Sequence, residues 1–212
     1  MSFKYYDTLS TLISGCVLVL ILSFVLDKDS SNINSILLLA LAYSMGYVLN
    51  AVSGLIEPFY FWTMGGRPSD KLLTPPSKCC ICRKTKDYTG YGRIRFYQYE
   101  KVANMLRSEL EDPVANPKKM FGKAMSYSNS TSDTRVPDFN AQYAFSRVML
   151  TLSLVVGIIL AFEYYCHWWY WLILVTTIII LWNRCKERGY YYAKEVLVEY
   201  MRIKENKLKK KW

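Results

Sequence analysis

The sequence predicts an all-α membrane protein: four transmembrane helices, a small and mainly helical cytoplasmic layer, and an amphipathic C-terminal helix. Three observations lead there. Hydrophobic residues make up 52% of the 212 positions and come in concentrated blocks rather than scattered through the chain. The basic residues, which give a net charge of +10, gather between the blocks and after the last one. Aromatic residues cluster where the blocks end.

The first block, residues 8–26, contains no charged side chain, and neither does the run 30–56. A helix of about 20 apolar residues crosses the roughly 30 Å of bilayer hydrocarbon, so these runs give spans at 8–26 and 36–57. The first run lacks a small-x-small cleavage pattern, so it is expected to be a span and not a removed signal peptide. Between Arg147 and Arg184 lie 36 residues whose only formal charge is Glu163, enough for a tight hairpin of two more spans. The chain is therefore expected to divide into an N-terminal transmembrane hairpin at 1–62, a basic insert at 63–146, a second transmembrane hairpin at 147–184 and a C-terminal helix at 185–212.

Charge sets the expected orientation. Residues 63–146 carry 14 Lys/Arg against 8 Asp/Glu, and residues 184–212 carry 10 against 4, whereas the two short connections between paired spans offer only Lys28. The positive-inside rule then places both termini and the insert in the cytoplasm of a multi-pass protein, in the inner membrane if the cell is bacterial.

Within the insert, Asn116 before Pro117 marks a helix start, and FYQYEKVANMLRSELED from Phe96 places Tyr99, Val102, Ala103, Leu106 and Leu110 on one stripe. Ser69 or Asp70 is expected to cap a short turn after the second span, and Asp138 to cap a helix that runs into the third. The insert is too small and too broken by proline for a large core of its own, so it is expected to pack against another segment. In the C-terminal helix, Val196, Leu197, Tyr200, Met201 and Ile203 oppose Glu and Lys.

The second span carries a polar strip. Gly46, Asn50, Ser53, Gly54 and Glu57 fall at i, i+4, i+7, i+8 and i+11. Hydrocarbon cannot hydrogen-bond an amide or a hydroxyl, so such a strip faces protein or water. Two readings fit. In one, the glycines admit a neighbouring helix and the polar groups bond across to it; in the other, copies of the chain surround a pore lined by Asn50, Ser53, Gly54 and Glu57, whose carboxylates favour cations.

A second candidate site lies in residues 78–101, where basic residues alternate with aromatic ones. Arg83, Lys84, Lys86, Arg93, Arg95 and Tyr97 have the chemistry for phosphates and stacked bases, and equally for anionic lipid headgroups. Arg93 and Arg95 alternate with Ile94 and Phe96 as in a short strand. Cys79 and Cys82 form half of a zinc pattern with no second pair in the insert, so no metal is expected. His167 stands beside no catalytic partner, and neither a phosphate loop nor any other catalytic constellation is present; no cofactor is expected, and the chain is not read as an enzyme.

The span ending in GLIEPFYFWTMGGRPSDKLL, the basic insert and the charged C-terminal helix resemble the small four-span bacterial membrane effectors of anti-phage defence, of which the Hailong-type channel effector is an example. That resemblance implies a tetrameric ion channel in the inner membrane, controlled by an oligonucleotide made by a partner nucleotidyltransferase. It also implies phosphate contacts from the insert's Arg and Lys, and pore roles for Asn50 and Glu57. A different class of function fits the same composition: a non-conducting scaffold that recruits a cytoplasmic partner to the membrane through its basic surface.

Overall fold

The structure is a computed structural model that describes residues 2–26, 34–75, 87–130 and 134–209. Its elements, in order, are α1 (Ser2–Val25), α2 (Ser35–Thr63), α3 (Pro68–Leu73), β1 (Thr89–Tyr91), β2 (Ile94–Phe96), α4 (Tyr99–Leu110), α5 (Pro117–Asn129), α6 (Val136–Tyr164) and α7 (Trp168–Lys209). Among the described residues four helical segments are long and apolar enough to cross a membrane: Thr8–Val25, Ser35–Thr63, Val136–Phe162 and Trp168–Lys207. Among the described residues the architecture is all-α apart from one two-stranded antiparallel hairpin.

Two compact units emerge, Met1–Tyr60 with Ala141–Cys185, and Phe61–Asn140 with Lys186–Trp212. Each takes two separated stretches of chain, and α2, α6 and α7 contribute residues to both.

In the first unit, the closest packing is backbone on backbone. A methyl group at Gly15 would sit 1.6 Å from the Ala42 carbonyl oxygen, and one at Gly46 would sit 1.8 Å from that of Thr11. Small residues at both points let α1 and α2 touch, as in other membrane helix pairs, where van der Waals contact replaces the hydrophobic drive that lipid removes. Beside this contact, Leu18, Leu49, Val148 and Leu152 form a core shared by α1, α2 and α6. Tyr60 and Thr151 join α2 to α6 through a buried 2.7 Å hydroxyl bond. The turn between α6 and α7 is short, as the 36-residue apolar stretch requires. It is tied by Trp171 Nε1 donating to the Tyr165 carbonyl at 3.0 Å and by the Tyr170 hydroxyl donating to that of Gly157.

The second unit has a conventional core. Leu72 and Leu73 of α3, Ile94 and Phe96 of β2, Val102 and Leu106 of α4, and Met120 and Ala124 of α5 close over Val196, Leu197 and Tyr200 of α7. The apolar face of α7 thus supplies the surface that the insert lacks. Its polar edge is pinned by Lys204 paired with Glu109 and by Lys101 paired with Glu205 at 2.7 Å.

Local details follow and sometimes amend the expectations. Asn116 caps α5, accepting the Lys118 N–H at 3.0 Å. The helix expected from Phe96 begins at Tyr99, because Phe96 is paired with Thr89 in the hairpin. The α3 cap is Arg67, with no side-chain bond, rather than Ser69 or Asp70: Pro68 fixes the first helical φ and has no N–H to satisfy. Asp138 lies in the first turn of α6, its N–H donating to the Arg135 carbonyl, so it is past the cap position. The α2 helix continues beyond Glu57 through Pro58 to Thr63.

The α1–α2 contact yields a stability prediction. Gly46→Val should force the two backbones apart and destabilise the protein by about 3 kcal/mol, at the upper end of ordinary overpacking. Gly54→Ala, where a methyl meets nothing within 4 Å, should change stability by less than about 0.5 kcal/mol. Thermal unfolding in detergent compares the two; equal midpoints would refute the close crossing.

Candidate functional site

The polar strip on α2 divides into an inward part and an outward part. Gly46, Leu49, Ser53 and Tyr60 are buried. Ser53 is completely enclosed, its hydroxyl donating to the carbonyl of Asn50 one turn earlier at 2.7 Å, so it does not line an accessible surface of the chain. Gly54 is open, and Asn50 is half-buried at the border between the two faces. The difference from the sequence reading comes from the roughly 100° step: Gly46 and Ser53 lie on the α1-facing side of the strip, whereas Gly54 lies a full step further round.

Glu57 is engaged within its own chain. Its Oε1 lies 2.9 Å from Nη1 of Arg147 and accepts the hydroxyl of Tyr143 at 2.9 Å. Arg147 and Tyr143 are one turn apart on α6, and the guanidinium lies 5.7 Å from the Tyr143 ring centroid. Both charged side chains are largely covered, at 16% and 29% exposure, so each depends on the other. The cluster ties α2 to α6 and leaves Glu57 with its charge already balanced.

The outward face of α2 carries groups that the sequence reading passed over. Tyr43 is 46% exposed and Tyr47 65% exposed. With Asn50 and Gly54 they recur at i, i+4, i+7 and i+11, a single narrow row of two phenols, one amide and one bare backbone position. The signal is present in the sequence as Tyr43 and Tyr47 one turn apart, seven and three positions before Asn50. Hydroxyls at Ser44 and Thr176 are satisfied within their own helices, bonding the Ala40 and Leu172 carbonyls, and need no outside partner.

In the second unit the hairpin brings part of the predicted basic site together. Residues 92 and 93 form its two-residue turn, with Gly92 at φ +58°. In β2, Ile94 and Phe96 point into the core and Arg95 points out. The Arg95 guanidinium sits 5.2 Å from the Tyr88 ring centroid, and Tyr88 lies 5.7 Å from the ring of Tyr97. The neighbouring Tyr97 side chain raises the Arg95 pKa above its already high ordinary value, so the cation is permanent. Tyr97 is 59% exposed and Arg93 is exposed in the turn. Arg83, Lys84 and Lys86 fall outside the described residues, as do Cys79, Cys80 and Cys82. Among the described residues no group of three or more His, Cys, Asp or Glu side chains is placed to hold a metal, and Cys16, Cys166 and Cys185 are free thiols.

No protein-family model, curated protein or solved structure matches this chain.

The Glu57 cluster can be tested by taking it apart. Arg147→Met alone strands the carboxylate and should cost on the order of 3 kcal/mol. Adding Glu57→Gln should recover at least half of that loss, read as the thermal midpoint in detergent. A double variant no better than the single one would show that Arg147 acts independently of Glu57.

Proposed function

We propose that the chain is the subunit of an oligomeric membrane channel, controlled from the cytoplasm by a nucleotide or oligonucleotide bound to the insert. The observation that carries this reading is the outward row of exposed Tyr43, Tyr47 and Gly54 with half-buried Asn50, on a helix long enough to span the bilayer. At 1.5 Å per residue, Tyr47 and Asn50 lie about 18 and 22 Å along α2, near the middle of the hydrocarbon. Lipid offers their polar groups no hydrogen-bond partner, whereas a water-filled path between subunits does. In this arrangement Gly54 leaves the path wide, Asn50 contributes an amide ring, and Glu57 supports the wall from behind through Arg147.

The set of exposed Arg93, Arg95 and Tyr97 with half-buried Tyr88 supports the control element, since it offers fixed cations beside rings on which a base can stack. Arg83, Lys84 and Lys86 add charge from the adjoining segment. A route to the spans is available in α7, which is unbroken from Trp168 to Lys209 and carries the apolar face on which the insert packs. A ligand that favours one of two packings of that face shifts the whole helix with it. The resemblance to anti-phage channel effectors fits this scheme and supplies the biological setting: an inner-membrane tetramer with cytoplasmic termini, opened when a partner nucleotidyltransferase makes the signal.

Reconstitution into vesicles tests the proposal. The protein should pass potassium in a manner altered by short single-stranded oligonucleotides. Asn50→Leu should change the conductance several-fold, and Arg93→Gln with Arg95→Gln should weaken the response to oligonucleotide by about tenfold, the loss of roughly 1.4 kcal/mol of charge-assisted contact. Vesicles that stay silent with and without oligonucleotide, from protein that still binds a cytoplasmic partner, would support the scaffold instead.

A further inference from the structure

Three cations of the second unit gather where the chain leaves its apolar helices, and the hairpin site uses none of them. After α2 ends at Thr63, Gly65 and Gly66 take φ +78° and +114°, a left-handed conformation that glycine adopts without strain. Their N–H groups close the helix by donating to the Trp62 and Phe61 carbonyls at 3.0 and 2.7 Å. This turn sends the chain into α3 with Arg67 and Lys71 one turn apart.

The Lys71 side chain folds back over the two glycines. A methyl at Gly65 would lie 3.0 Å from its Nζ, and one at Gly66 would lie 3.6 Å from its Cε. The ammonium reaches the Met64 carbonyl only at 3.5 Å, and among the described residues no carboxylate pairs with it. From α7 comes Lys186, whose ammonium lies 4.1 Å from the Tyr91 ring centroid, with that ring stacked on Tyr190 at 5.5 Å. The Thr89 hydroxyl donates to the Leu72 carbonyl at 2.9 Å, which holds α3 against the strand that carries Tyr91 and so brings Lys71 towards Lys186, where the two ammonium charges repel. Arg67 lies over the Phe61 ring at 5.4 Å. The adjacent carboxylates in sequence are Asp70, which accepts the Ser69 hydroxyl at 3.3 Å, and Glu187.

Glycines that admit a lysine, and a second lysine held against an aromatic ring within repelling range of the first, describe a place prepared for an anion. Its depth is set by the chain. Phe59 and Trp62 on the last turns of α2 are 56% and 76% exposed, as befits aromatic anchors at the edge of a bilayer, and Lys186 follows Arg184, where the apolar stretch of α7 stops. Lipid phosphates lie at that level.

We propose that Lys71, Lys186 and Arg67 bind the phosphate of an anionic phospholipid headgroup, with the Gly65–Gly66 turn giving Lys71 the space to reach it. This site shares none of the side chains Tyr88, Arg93, Arg95 and Tyr97, and holds whether or not the protein conducts ions.

Native mass spectrometry of the full-length protein in detergent, titrated with phosphatidylglycerol or phosphatidylcholine, tests it. The protein should retain phosphatidylglycerol in preference. Lys71→Gln with Lys186→Gln should reduce the retained fraction at least fivefold, whereas Lys71→Arg with Lys186→Arg should keep it. Lys118→Gln with Lys119→Gln, on exposed α5 positions, should change nothing. The exposed Lys71→Gln change alone, which disturbs no core contact, should still lower retention if the double variant fails to fold. Unchanged retention in the Lys71 variants would overturn the site, and displacement of the lipid by millimolar inorganic pyrophosphate would reassign it to a soluble phosphate ligand.

Discussion

Hydrocarbon cannot accept or donate a hydrogen bond, and that constraint organises this protein. Each polar side chain on a helix able to cross a membrane must find its partner on its own helix, on a neighbouring helix, or in water. Ser53, Ser44 and Thr176 take the first route, bonding carbonyls one turn back. Tyr60 with Thr151, and Glu57 with Arg147 and Tyr143, take the second and thereby fix how α2 meets α6. Among the described residues the side chains of Tyr43, Tyr47 and Asn50 are accommodated by neither, and the proposed water-filled path answers that remainder.

The two units solve different packing problems. The first has little hydrophobic drive in lipid, so it relies on bare backbone contact at Gly15 and Gly46 and on a few buried polar bonds. The second has an enclosed apolar core built round α7, where Tyr200 and Leu197 are wholly buried and ion pairs from α4 hold the polar edge. Because α7 belongs to both, it is the element through which an event on the insert could reach the spans.

Much of this was legible in the sequence. Charge-free runs of the right length marked the spans, and the stripe Val102, Ala103, Leu106 identified the buried face of α4 because helical periodicity is strong there. The Asn116 cap was readable because its chemistry is local. Pairings between distant segments were not. Nothing near Glu57 in the sequence points to Tyr143 or Arg147, since the partner of a buried carboxylate is chosen by helix packing rather than by spacing. The Phe96 boundary failed for the same reason, with a cross-strand pair to Thr89 overriding a helical pattern. The outward row on α2 was missed because tyrosine is ambiguous, apolar by area and polar at its tip.

The side of α2 that carries Gly54 can be examined directly by electron paramagnetic resonance, with a spin label attached at Gly54→Cys or Leu55→Cys in an otherwise cysteine-free protein in bilayers. A label at position 54 should be protected from dissolved oxygen and accessible to a water-soluble nickel complex, while one at 55, where Leu is 81% exposed, should show the opposite lipid-facing pattern. Two labels with the same lipid-facing profile would contradict the proposal that this row meets water.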